Sequence, residues 1–395
     1  MSAATDHGAP GRASSRRSDP SSGRLARLAS LALASLVVLV TPTGAHAQAE
    51  ITVLATTSGL THVSAYGSTI AFSKRDPATG RYRLVAGRPG GTLRTLAVPS
   101  RKAPFDVDLG PGRDGALTAV YSRCAVEPDV ESAVAEGTLD YSTARRCRLY
   151  RYVFSEGRER VLGRLAREGG SAFLPTVWRD RIAYASAGAT PRAGLFVSTA
   201  GGAHRRRLPR GPAGDASSHA FPLIMDLRGT RLAFTWANFP DTCDGYTIDP
   251  EARVEPLETA LYVTTDVDRL RRVASACNQI AARFSVAGAA WRDGVPVTGL
   301  VTLSGRSFGL DVLAAREGSS NAILGGYAAG EMLADSLAVV GASVVAAVRV
   351  RPADQSDGGS RVIMLPPPLP RRANRVGRAP TPPPPAAPGT ARSAR

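Results

Sequence analysis

Lysine is almost missing: Lys74 and Lys102 are the only two in 395 residues, so the net charge of +16 is carried by arginine. Histidine is scarce, and after residue 47 only His62, His204 and His219 remain. The four cysteines include no C-x-x-C pair and have no neighbouring histidine, which argues against a zinc site. No glycine-rich phosphate loop follows a strand-like run, and there is no sialidase-type S-x-D-x-G-x-T-W box. Past residue 50 no segment holds a long helical period, so a helical architecture is excluded. The one long apolar run, Leu28–Val40, has thirteen residues. A membrane-spanning helix needs roughly 20.

That run does fit an export signal. It follows a polar segment with Arg12, Arg16, Arg17, Arg24 and Arg27, and Thr41-Pro42-Thr43-Gly44 then breaks the helix. Ala45-His46-Ala47 and Ala47-Gln48-Ala49 are both small-x-small cleavage sites. Arg16-Arg17 has the form of a twin-arginine signal, but Ser18-Asp19-Pro20 lacks the apolar pair expected after it, which favours a general secretory route. With no cysteine near the cleavage site, a lipoprotein is not expected. The expected division is a signal peptide over 1–47, a folded domain over 48–365 and a disordered, Pro- and Arg-rich tail over 366–395.

Partitioning the charge removes its simplest meaning. The segment 1–47 carries +3 and the segment 366–395 carries +6, so the body 48–365 holds only +7. Nucleic acid is therefore not an expected partner of an exported chain, and weak attraction to anionic wall polymer or headgroups is the physical alternative.

A repeat runs through the body. Its first signature is an apolar residue, a polar turn, then a strand ending in Ala plus a large apolar residue. Copies are Tyr66–Phe72, Asp114–Tyr121, Trp178–Tyr184 and Leu227–Phe234, with weaker ones at Trp291–Val295 and Val340–Val345. The second signature, a strand, a turn and a strand of Arg and Leu, recurs as Arg81–Ala86 with Thr92–Leu96 and as Leu149–Phe154 with Arg158–Leu162. It returns as Leu195–Thr199 with His204–Leu208 and as Leu261–Thr265 with Arg269–Val273. Two hairpins per unit make a four-stranded unit, and the anchor alanines at 71, 119, 183 and 233 set a period of blade size. The fold class is all-β, a six-bladed β-propeller. Its last blade lacks a strand, because Arg361–Leu365 runs into Pro366-Pro367. The unpartnered run Ile51–Ala55 is expected to supply that outer strand and close the ring.

This cadence resembles the TolB-like, or WD40-like, β-propeller repeat over residues 51–365, best in the first four units. The opening proline of that repeat is clear only at Pro104 and Pro222. The stretch Phe105-Asp106-Val107-Asp108-Leu109-Gly110 with Val120–Cys124 also resembles secreted actinobacterial-type proteins of unassigned function, and implies no activity. The arginines of the fourth strands, among them Arg94, Arg158, Arg205 and Arg269, are expected to protect exposed sheet edges from pairing.

In an exported chain four cysteines suggest two bridges. The repeat places Cys124 and Cys147 at the two ends of one strand-two-to-three loop, and Cys243 after the second strand and Cys277 after the fourth strand of the fourth unit, so the expected pairs are Cys124–Cys147 and Cys243–Cys277. All four then fall on one face, with the two long acidic insertions 125–146 and 237–258. The expected binding residues are Asp129 and Asp140 in the first, and Asp241, Asp244, Tyr246 and Asp249 in the second. Calcium is not expected, because the aspartates of the second insertion match no EF-hand spacing.

Gly305-Arg306-Ser307-Phe308-Gly309 has the form of a nucleophile elbow, but it lies between two strand-like runs and no histidine follows it, so a hairpin turn is expected. No catalytic residue, metal or cofactor is assigned. The expectation is a secreted or envelope-located monomeric binding or scaffold module, without a membrane span after cleavage. It would take a protein, peptide or cell-wall component on the disulfide-braced loop face. The competing expectation is a propeller enzyme, a lyase or glycosidase, using loop carboxylates.

Overall fold

The computed structural model describes residues 51–58, 61–125, 146–162, 170–187, 194–208, 221–238, 242–243, 246–247, 258–266, 269–277, 285–304, 307–314, 322–330, 332–350 and 359–365. The expected leader and tail lie outside these residues. The described strands form six four-stranded antiparallel sheets and one small hairpin.

After β1 (Thr52–Ser58), blade 1 consists of β2 (Val63–Tyr66), β3 (Thr69–Asp76), β4 (Arg81–Gly87) and β5 (Arg94–Thr95). Blade 2 is β6 (Val107–Pro111), β7 (Leu117–Arg123), β8 (Arg148–Val153) and β9 (Arg158–Val161). Blade 3 is β10 (Ser171–Trp178), β11 (Arg181–Ala187), β12 (Gly194–Thr199) and β13 (Arg206–Arg207). Blade 4 opens with β14 (Phe221–Arg228) and β15 (Arg231–Asn238), is interrupted by the hairpin β16 (Thr242–Cys243) and β17 (Tyr246–Thr247), and ends with β18 (Glu258–Asp266) and β19 (Arg269–Cys277). Blade 5 is β20 (Ser285–Arg292), β21 (Val295–Ser304), β22 (Ser307–Ala314) and β23 (Ala322–Gly330). Blade 6 is β24 (Met332–Val340), β25 (Ser343–Val350) and β26 (Gly359–Leu365).

Blade 6 is completed by β1, which pairs antiparallel with β26 from Thr52↔Met364 to Ser58↔Gly359. The ring is thus closed by a strand from the other end of the domain, as expected, although that strand runs later than Ile51–Ala55. The G-x-S-x-G segment falls at a hairpin: Ser304 pairs with Ser307, joining β21 directly to β22. Arg94, Arg158 and Arg269 do sit on outermost strands, Arg205 lies one residue before β13, and β5 and β13 are only two residues long. Short, charged edges resist pairing with other sheets.

The Ile-Ala-Phe signature has a packing cause. Successive strand residues point to opposite faces. Ile70 and Phe72 pack with Ala338 and Val345 of blade 6, while Ala71, between them, packs with Phe105, Val107 and Leu109 of blade 2. The anchors Ala71, Ala119, Ala183 and Ala233 are all fully buried. A small side chain there lets the next blade's innermost strand approach. Six apolar clusters lie one at each blade interface, so the core is a ring of interfaces around a central channel.

Candidate functional site

The channel is walled by the innermost strands β2, β6, β10, β14, β20 and β24 and spans about 510 Å3 including its open mouth. Bulges in β10, β14, β20 and β24 re-aim wall residues, since one extra residue locally turns a strand. At the first of these Leu174 takes φ 47. At the third Gly288 takes φ +76, where an added Cβ would lie 2.6 Å from the Leu337 nitrogen of blade 6.

Polar side chains on these strands bolt the blades together. Ser64 Oγ accepts the Leu109 N–H at 2.9 Å and donates to Asp108 Oδ1 at 2.7 Å. Asp108 Oδ2 accepts the Thr176 hydroxyl at 2.7 Å and the Val177 N–H at 2.9 Å. Thr176 Oγ1 in turn accepts the Leu227 N–H at 2.8 Å. The Asp226 carboxylate accepts the Trp291 backbone N–H, and Ser336 Oγ accepts the Val63 N–H at 3.1 Å. Every blade junction but that of blades 5 and 6 thus has a side-chain acceptor for a neighbour's backbone donor among the described residues. Blade 5 carries Ala290 at the matching position.

These acids are strongly perturbed. Burial raises Asp108 to about 6 despite the hydrogen bonds that favour its charged form. Burial also lifts Asp226 well above the usual carboxylate range, with the negative charge of Asp108 adding to the rise and Arg228 opposing it. Nearer the mouth, Asp106 accepts the Ser122 hydroxyl at 2.6 Å and the Leu174 N–H at 3.3 Å. His62 Nδ1 stands 3.8 Å from Asp106 Oδ1. Asp335, at the bulge of β24, takes Arg349 Nε on both oxygens at 3.0 and 2.9 Å. Burial raises Asp335, while Arg349 and then the charge of His62 oppose the rise. At the mouth the structure thus brings together Asp106 and His62, with Asp335 held by Arg349.

The disulfide-bearing loop ends stand on this same face. Cys124 and Cys147 are bonded, S–S 1.99 Å, and pack with Phe173 of blade 3. The Cys147 N–H donates to Ser171 Oγ at 2.9 Å, and the Ala172 N–H donates to the Cys147 carbonyl at 3.1 Å. Cys124 follows Ser122, the partner of Asp106, by two residues. Cys277 is disulfide-bonded and ends β19 opposite Glu258. Cys243 pairs through its backbone with Tyr246, and the side chains of both lie outside the described residues. Asp129, Asp140, Asp241, Asp244 and Asp249 lie wholly outside them.

Sequence reasoning missed the channel acids. The signal was present: Asp106 and Asp108 alternate with apolar residues at the start of a repeat, where a strand borders the channel. Among the described residues no group of three or more His, Cys, Asp or Glu is arranged to hold a metal ion. No described helix is long and apolar enough to cross a membrane.

No family model matches the chain, and no curated protein does. Among solved structures it is similar to TolB from Acinetobacter baumannii, at 15% identity and a TM-score of 0.44, over 75% of this chain and 63% of that one. It is also similar to a puromycin-hydrolyzing peptidase of Mycobacterium tuberculosis, at 13% identity and a TM-score of 0.39, over 76% of this chain and 50% of that one. A third is the propeller domain of the Trilobed protease from Pyrococcus furiosus, at 8% and 0.37, over 74% of this chain and 90% of that one. The chain thus covers less than two thirds of TolB and half of the peptidase, and at these identities the likeness concerns the fold alone.

Proposed function

We propose that this propeller is an extracytoplasmic binding module that receives a basic protein or peptide segment at the mouth of its channel. The observation that carries this reading is the Cys124–Cys147 bond beside the mouth, which pins both ends of an acidic insertion close to Asp106 and His62 in the channel lining. A clamped loop loses less conformational freedom on binding. The insertions add Glu127, Glu131 and Glu136 on one side and Glu251 and Glu255 on the other, all of the sign that attracts cationic side chains. A disulfide, with the leader-like N-terminus, supports a location outside the cytoplasm.

The same geometry weighs against acid–base catalysis by Asp108. Its oxygens are taken up by three hydrogen bonds from the two flanking blades, so movement or proton exchange would loosen the ring. The test is titration of a fluorescent oligolysine peptide with the full chain and with a variant whose two insertions are replaced by short turns. Salt-sensitive binding by the first and none by the second is expected. Equal binding by both chains overturns the reading.

A further inference from the structure

The channel holds one acid that the ring does not need. The innermost strands offer a side-chain acceptor to the next blade's backbone, and Ser64, Thr176 and Ser336 do this with a neutral hydroxyl. Blades 2 and 4 place a carboxylate there instead. Asp108 has a use for both oxygens: Oδ1 takes the Ser64 hydroxyl, and Oδ2 takes Thr176 and Val177. Asp226 differs. Among the described residues its carboxylate accepts only the Trp291 backbone N–H, and no hydroxyl donates to it. A hydroxyl would serve that one bond at a lower desolvation cost. The carboxylate of Asp226 is left with acceptor capacity that the fold does not use.

Its position gives that capacity a direction. Asp226 stands deep in the ring, and the surface it keeps lies in the channel lining. Asp108 borders the same lumen, and its negative charge reaches Asp226. The charge of Arg228 reaches it too, but no ion pair joins the two, and that guanidinium lies 5.6 Å from the Trp178 ring centre. Two carboxylates against one guanidinium leave the depth of the channel one positive charge short when both are ionised. The surrounding wall is largely apolar, with Leu174, Ile224, Met225, Ala289, Leu337 and Val339 on it. A few convergent polar groups in an apolar cavity are the usual form of a small-ligand site.

We propose that the channel binds a primary alkylammonium group, its ammonium on the Asp226 carboxylate beside Asp108 and its stem along the apolar wall. An ammonium is a compact point charge with three donors, and an alkyl stem covers apolar surface. A metal ion fits less well, because among the described residues no group of three or more His, Cys, Asp or Glu is arranged to hold one. The site lies deeper than the mouth and needs neither insertion. The same chemistry is carried by a free amine and by a lysine side chain of the basic segment proposed above.

A cation favours ionised carboxylates, so its entry releases a proton that the empty channel holds. The charged groups facing Asp226 are Asp108 from β6 and Arg228 from its own strand. At the mouth stand His62, Asp106 and Asp335 with Arg349. His62 gains charge as pH falls, which acts in the same direction.

The test is calorimetric titration of the full chain with pentylamine, with pentanol as the uncharged match. Pentylamine is expected to bind and pentanol not to. Affinity is expected to rise about tenfold between about pH 5 and about pH 6, the slope of one released proton. Asp226→Asn keeps an acceptor for Trp291 and is expected to bind pentylamine about tenfold more weakly or worse. If that variant fails to fold, the pH slope and the pentanol comparison decide the matter on the unmutated chain. The chain with both insertions shortened is expected to bind pentylamine as the full chain does. Displacement of pentylamine by oligolysine assigns the site to lysine side chains, and binding without displacement assigns it to free amines; either upholds it. Four results overturn it: no binding of pentylamine, equal binding of pentanol, undiminished binding by well-folded Asp226→Asn, or the same affinity at both pH values. Failure of pentylamine alongside insertion-dependent oligolysine binding would remove this site and leave the mouth reading standing.

Discussion

At the scale of single residues, Asp108 concentrates the energetics of the ring. Its environment raises it from 3.8 to about 6. Between those values the folded chain holds a proton that the unfolded chain has released. The resulting stabilisation is complete below about pH 4 and is lost as pH rises through about 6. A difference of about two units corresponds to about 3 kcal/mol, and Asp226 moves the same way. The protein is therefore expected to melt at a higher temperature at pH 5 than at pH 7.5, and Asp108→Asn to flatten that difference. An Asn can still accept from Thr176 and Val177. Asp108→Ala, which leaves their donors unpaired, is expected to cost about 2–4 kcal/mol. Calorimetry at both pH values checks all three; a higher melting point for the unmutated chain at pH 7.5 would contradict this account of the channel. Gly110 shows a different constraint. A Cβ there would stand 2.2 Å from the Val177 carbonyl oxygen of blade 3, a backbone atom that cannot yield cheaply. Gly110→Ala is expected to destabilise by about 2 kcal/mol or more in chemical denaturation.

At the scale of elements, the link between β7 and β8 is the one the binding proposal depends on. Cys124 and Cys147 close a loop with a sequence separation of 23. In the chain-entropy model such a bridge contributes about 3 kcal/mol. The paired change Cys124→Ser, Cys147→Ser is expected to lower stability by about that amount and to weaken oligolysine binding more than a surface substitution does. Unchanged peptide affinity in a still-folded variant would show that the bond braces the blade and not the ligand. This element was legible before folding, because a loop between two strands of one hairpin brings its ends together whatever the rest of the chain does. The bulges in β10, β14, β20 and β24 were not legible. Their extra residues look like ordinary strand, and only pairing reveals them.

At the scale of the whole molecule, the ring has no strand to spare. β1 is far in sequence from β26, and without it blade 6 would present β26 as a bare edge. A chain beginning at residue 60 is expected to melt lower and to be cut faster by protease than one beginning at residue 50. A synthetic peptide spanning 50–60 should restore part of the loss, since an exposed edge accepts a strand in trans. Identical melting of the two chains would mean that β1 closes nothing.

The sequence by itself determined the strand cadence, the buried alanine anchors, the loop joined by Cys124 and Cys147, and the strand that closes the ring. The first three rest on period-two alternation or on a hairpin, which neighbours along the chain dictate, and the closing strand follows from counting, because one run lacks a partner and the last blade lacks a strand. Only the tertiary structure decided which acids meet. Ser64 and Asp108 are 44 residues apart and Asp108 and Thr176 are 68 apart, and they touch because consecutive blades lay their innermost strands side by side. The role of the arginines was decided there too. In the sequence they mark strand edges, and only the folded blades show what each one meets, as Arg205 meets the Phe196 ring and Arg272 meets Glu258.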